Sequence, residues 1–247
     1  AIVVMIAIAV YTLIHSQMMY KKKQHKEALK EEVNSTVAQL RKATNSREAL
    51  NLFRQHSREE LKGDLLFAAN TLQDSVNGFI NENLKELRRV MADIEEKKVH
   101  LKQVKRVGTL GVTQLDREIA IDKGLYYYQG NDFASEIVYS IRRLAEPCKL
   151  HIDNNFKPLD EIQKKDFGIV DTQVIAYLTR CAEMIDKNNY EDLPTLINEA
   201  SRLHNALTQL KKEELKRIQG QSGSTKVSMV YLNMLQETTN VVNFSCN

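Results

Sequence analysis

Phe133, Ile137, Ile141, Leu144, Cys148 and Ile152 recur at spacings of four, four, three, four and four. That period puts them on one side of an α-helix; in a strand the faces alternate at every second residue. Arg142, Arg143, Glu146 and Lys149 fall opposite, as expected when one helix face meets a core. A second stripe runs through Val170, Val174, Tyr177, Leu178, Cys181 and Ile185. Leu196, Ala200, Leu203, Leu207 and Leu210 form a third, for which Asp192 reads as the N-cap with Pro194 in the first turn. Leu232, Leu235, Thr239, Val242 and Cys246 form a fourth. Connectors such as Asp186–Tyr190 are short, so the stripes should bury one another as an antiparallel bundle. Nine glycines and three prolines in 247 residues leave little turn chemistry for a many-stranded fold, and no segment sustains strand alternation. The expected fold class is all-α.

Upstream, Ala28 to Lys42 favours helix, and Asn45 reads as a cap with Glu48 three residues on. From about Glu59 to Arg106 the pattern is helical apart from Gly63 and Gly78, and Gly108-Thr-Leu-Gly111 reads as a break. Pro147 removes a helix donor and predicts a kink near Arg143. Asp153-Asn-Asn155 favours a turn, after which Pro158 should open the next helix. Gly220-Gln-Ser-Gly-Ser-Thr-Lys226 has phosphate-loop residue types in the wrong order and follows a helix, so it reads as a linker.

The chain opens on an apolar run, Ala1 to Ile14, broken only by Thr12. In a helix this covers about 21 Å, short of the roughly 30 Å hydrocarbon core. Residues 1–20 are expected to be the end of a transmembrane helix that begins upstream; the competing reading is a buried core helix. Lys21-Lys-Lys-Gln-His-Lys26 follows, and such a basic flank belongs on the cytoplasmic side. Residues 21–115 then read as a membrane-proximal helical region and 116–247 as a bundle whose last helix continues past Asn247.

Chemistry is sparse. A net charge of +3 is too mild to announce a nucleic-acid partner. Cys148, Cys181 and Cys246 form no CxxC pair; Cys148 and Cys181 fall on apolar stripes and should be buried free thiols. Cys148 with His151 could be offered as a nucleophile and base, but packing suits its stripe position better. Asp132 and Glu136 lie one turn apart; a carboxylate pair is too few for a metal, and Asp132 is expected in a first turn, facing the helix dipole. Lys97, Lys98, Lys102, Lys105 and Arg106 form a basic tract that reads as a solvated face, or as a contact for anionic lipid headgroups. With no constellation of nucleophile, base and oxyanion donors, no enzyme activity and no cofactor are expected.

Two blocks carry a resemblance. One is Gly130-Asn-Asp-Phe-Ala-Ser-Glu136 leading into Glu146-Pro-Cys and His151-Ile-Asp-Asn-Asn-Phe-Lys-Pro-Leu159; the other is Ser228-Met-Val-Tyr-Leu-Asn-Met-Leu-Gln-Glu-Thr-Thr-Asn-Val-Val-Asn-Phe244. Together they resemble the cytoplasmic, PhoU-like helical extension of long bacterial members of the inorganic phosphate transporter (PiT) family, over about residues 116–247. The resemblance implies an inner-membrane protein, with this part on the cytoplasmic side, serving uptake of inorganic phosphate coupled to sodium ions or protons. It places the transport residues in membrane helices upstream. PhoU proteins bind metals through acidic repeats; at Glu237-Thr-Thr-Asn240-Val-Val-Asn243 neutral amides replace carboxylates, so no metal is expected.

The function so implied is that of a regulatory or structural domain with no catalysis of its own; a homodimer is compatible with it. The alternative is the helical signalling module of a membrane receptor or kinase, which would call for long uninterrupted heptads. The one site expected is a polar seam, in which Asp153, Asn154 and Asn155 of the proline-flanked hairpin meet Glu237 and Asn240 of the last helix. Buried amides need partners, and a proline-broken helix has carbonyls to spare.

Overall fold

A computed structural model describes residues 2–220 and 224–246, helical apart from short connections. Residues 1, 221–223 and 247, and the side chains at 2, 3, 7, 9, 22, 25, 26 and 29, lie outside the described residues, and with them part of the expected apolar run, lysine cluster and Gly220–Lys226 linker. The elements are α1 (Ile2–Lys42), α2 (Ser46–Ile80), α3 (Leu84–Thr113), a short α4 (Arg117–Ile119), a π-helical turn (Ala120–Gly124), α5 (Leu125–Asp153), α6 (Glu161–Lys187), α7 (Leu193–Gln219) and α8 (Thr225–Cys246). No strand occurs among the described residues, and the fold is an all-α helical bundle.

Helix α5 is central, packed by α2, α3 and α8; α6 packs on α2, and α7 on α8 and α6. Ile137, Ile141, Leu144 and Cys148 of the first stripe are buried, as are Val170, Val174, Tyr177 and Leu178 of the second and Leu196 to Leu207 of the third. Helix α8 is buried on a wider face, Tyr231, Met234, Leu235, Val241 and Val242, because it meets both α5 and α7. Leu65 to Leu101 and Ile137 to Val242 contribute to one large core. A smaller core joins Val33 and Leu40 of α1 to Ala49, Phe53, Val107 and Leu115.

Helix α1 packs through these two buried residues; from Val4 to Tyr20 its described side chains are exposed, among them Met5, Leu13 and Met18, each more than 60%. Within this chain that stretch is not covered as a buried core helix would be. No described helix is long and apolar enough to cross a membrane by itself.

Several expected boundaries move. The Asn45 cap forms, its side chain accepting from the Glu48 N–H, while the Glu48 carboxylate takes the Thr44 N–H at 2.9 Å. The helical stretch from Glu59 to Arg106 is divided between α2 and α3 by a turn at Asn81-Glu82-Asn83, with Glu82 left-handed (φ 52°) and Asn83 capping α3. Gly108 and Gly111 do not break α3. A Cβ on Gly111 would lie 2.6 Å from the Phe53 ring, too close to fit unshifted, whereas one on Gly108 would make an ordinary contact with Tyr128 at 3.4 Å. Pro147 lies inside α5, which continues to Asp153. Pro158 precedes α6 rather than opening it; Asp160 and Gln163 form that helix's capping box. Asp192 occupies the N-cap position of α7 without a side-chain cap bond. Asp132 is not in a first turn, because the helical stretch begins at Arg117, and it pairs with Lys105 at 2.7 Å.

The glycine contact is testable. Gly111→Ala should lose about 1–3 kcal/mol, the cost of overpacking, although alanine is the better helix former. Gly63→Ala, where nothing lies within 4 Å of the added carbon, should be neutral or stabilising. Urea midpoints that respond alike in the two variants would contradict the close approach of α3 to Phe53.

Candidate functional site

Without an N–H, Pro147 cannot bond the carbonyl four residues back, which belongs to Arg143. The side-chain amide of Asn233 on α8 donates to that carbonyl at 2.9 Å. One residue's backbone and side chain thus both face α8: Arg143 Nε donates to Glu237 Oε2 at 2.9 Å, and Asn240 donates to the same oxygen at 3.0 Å. Gln236 donates to Asn240 Oδ1 at 3.0 Å, completing a polar line along α8. Glu237 is 8% exposed, so this carboxylate requires its partners.

Glu237 and Asn240 of the expected seam therefore meet each other, but not the hairpin. Asp153 pairs with Arg88 at 3.1 Å and Lys149 at 3.6 Å. Asn154 donates to the Leu150 carbonyl at 2.7 Å, and Asn155 adopts a left-handed backbone (φ 52°) at the helix end. These are helix-stopping roles, which short amide side chains perform locally. Asn233 was the missed member; its position four residues before Glu237, on the face turned to Pro147, was the available signal.

Cys148 is fully buried, and burial alone pushes its thiol far above the ordinary range. His151 bonds the Lys157 carbonyl at 2.7 Å and packs edge-on against Phe79 and Phe156, leaving no nucleophile–base pair. Cys181 is half-buried rather than buried, its thiol pushed up to about 11 chiefly by burial.

A second polar region was not anticipated. Antiparallel α2 and α3, with α1 across one end, enclose a groove of about 630 Å³. Rungs cross between α2 and α3: Glu60 Oε2 meets His100 Nε2 at 2.7 Å, Lys97 contacts Asp64, and Arg89 meets Asp74 at 2.7 Å. Asp64 is 2% exposed; burial pushes its carboxyl up despite the neighbouring Lys97 charge, and its Oδ2 has no hydrogen-bond partner among the described residues. Burial also pushes the Glu60 carboxyl up, but the His100 bond and the charges of His100, His56 and Lys97 together hold it below its usual value. His56, at the same end, is lowered by burial against the opposing pull of Glu60 and Glu32. The His56 Nε2 and His100 Nδ1 atoms are buried without hydrogen-bond partners among the described residues.

Of the basic tract, Lys97, Lys98 and Lys105 are committed to Asp64, Glu95 and Asp132. The pattern that carries the groove, Glu60 and Asp64 facing Lys97 and His100, is visible only once the Asn81–Asn83 turn folds α3 back on α2. No group of three or more His, Cys, Asp or Glu side chains among the described residues is arranged to hold a metal. No family model matches the chain, and neither a curated protein nor a solved structure shows significant similarity to it.

The α5–α8 pairing predicts coupling between Arg143→Ala and Glu237→Ala. A double-mutant cycle in urea should give an interaction above about 0.5 kcal/mol, whereas Asn155→Ala and Asn240→Ala should add within that margin. Coupling in the second pair and none in the first would contradict this assignment of partners.

Proposed function

We propose that this bundle is a membrane-tethered, non-catalytic regulatory domain of a secondary inorganic phosphate transporter. It sits on the cytoplasmic side of the inner membrane, and phosphate moves through separate membrane helices, coupled to sodium ions or protons. The carrying observation is α1: apolar side chains from Val4 to Tyr20 stand exposed, followed by exposed Lys21 and Lys23. An apolar surface of this kind calls for lipid or a partner, and a basic flank suits anionic headgroups. The phosphate assignment is supported by the resemblance of residues 130–159 and 228–244 to the extension of PiT transporters. The central burial of α5 and the absence of a reactive thiol at Cys148 suit a structural or regulatory part.

The test has two arms. The chain should co-float with vesicles containing phosphatidylglycerol, and Ile6→Asp with Leu13→Asp should abolish flotation while leaving the thermal midpoint unchanged, since both side chains lie outside the cores. Cells expressing the whole protein that carries this bundle should accumulate labelled phosphate above the vector control. Equal flotation of the variant would remove the lipid tether, and uptake no greater than control would remove the phosphate assignment.

A further inference from the structure

The stripe through Val174 and Leu178 should bury Cys181, yet that thiol is half-buried, and Cys246 on α8 is exposed. The sequence separates these cysteines by the whole of α7, and the fold returns α8 to the side of α6. Tyr177 joins the two. Its hydroxyl lies 3.3 Å from Cys246 Sγ, with Ser245 Oγ at 3.4 Å. Cys181 follows Tyr177 by one turn of α6, and its thiol bonds the same hydroxyl. The charge of Cys246 reaches Cys181 as well. Two sulfurs from different helices thus share one hydroxyl group.

The two thiols differ in access. Cys246 meets solvent, whereas burial is the main cause that pushes the Cys181 thiol up to about 11, so that it stays protonated at neutral pH. Cys148 is fully buried in the core around α5 and takes no part in this cluster. A solvent-accessible thiol beside a second, shielded one is the arrangement of a redox-responsive pair. Rotation about χ1 at each cysteine, past the Tyr177 hydroxyl, is the movement that brings the sulfurs to the S–S distance of about 2 Å.

We propose that Cys181 and Cys246 form a reversible oxidation site, at which a peroxide closes a disulfide between α6 and α8. The Cys246 thiolate attacks the peroxide O–O bond; an S–O bond forms, and hydroxide leaves. The Cys181 sulfur then attacks the sulfenic acid, the S–S bond forms as S–O breaks, and the departing hydroxide takes the Cys181 proton as water. The thiols lose two electrons and the peroxide gains them. A small-molecule thiol reverses the step by exchange. Because Asn233 and Glu237 already bind α8 to Arg143 of α5, the disulfide ties α6 to that helix pair. In a reducing compartment such a bond is transient and signals oxidant rather than holding the fold. The proposal rests on neither the phosphate nor the lipid assignment.

The test treats the reduced whole chain with one equivalent of hydrogen peroxide and maps its peptides without reduction. A Cys181–Cys246 linkage within the monomer is expected, at least tenfold more abundant than any other cysteine pairing, and dithiothreitol should remove it. The oxidised chain should melt at a higher temperature than the reduced one, since the closed loop restricts the unfolded state. Cys246→Ser, a change at the surface, should leave the reduced midpoint unchanged and leave Cys181 an alkylatable thiol after the same treatment. Crosslinking of Cys246 between chains, oxidation of Cys246 to the sulfinic acid with Cys181 still free, or a linkage that lowers the melting temperature overturns the proposal.

Discussion

Everything in the bundle is arranged around the burial of one helix that contains a proline. Helix α5 is covered by α2, α3 and α8, and Ile141, Leu144, Ala145 and Cys148 are fully buried. At about 25 cal/mol per Å² of apolar surface, such a helix is a major source of stability, but only if its backbone is satisfied. Pro147 leaves the Arg143 carbonyl without its helical donor, and Asn233 from α8 replaces it. The side chain of Arg143 then holds Glu237 on the same helix. The proline thus fixes how α8 lies on α5, through a bond that the helix itself would otherwise have used.

The apolar stripes were legible because a period of 3.6 requires no knowledge of partners. Val170 to Leu178 and Leu196 to Leu207 are buried at the spacing that the residues display. Glycine was misread at 108 and 111 for the converse reason. Whether it ends a helix or admits a neighbour depends on what lies across the interface, here Phe53 and Tyr128, and sequence spacing carries no record of that. The Asn81-Glu82-Asn83 turn was missed although its asparagines favour turns as those at 154 and 155 do, because the strong helix formers on both sides dominate the pattern. Its left-handed Glu82 is uncommon for a residue that bears a Cβ.

The polar sites divide in the same way. Glu237 and Asn240, one turn apart, could be paired from sequence, and the principle that a proline-freed carbonyl seeks an amide was sound. Its application to Asp153, Asn154 and Asn155 went astray because those residues are used locally, to stop α5 and pair with Arg88 and Lys149. The groove depends on contacts between α2 and α3 about forty residues apart in sequence, such as Glu60 with His100, and a scattered histidine gives no sign of them.

Two mechanical regimes follow along α1 and α5. Val33 and Leu40 anchor the end of α1 in the small core, while the described side chains nearer its start find no cover. Amide hydrogen exchange on the lipid-free chain compares the two directly, since exchange through local opening tracks the contacts that hold each segment. The slowest amides should lie between Ile137 and Cys148, and protection along α1 should fall sharply on the N-terminal side of Val33. Uniform protection along α1, equal to that of α5, would contradict a bundle organised around α5 with α1 held only at one end.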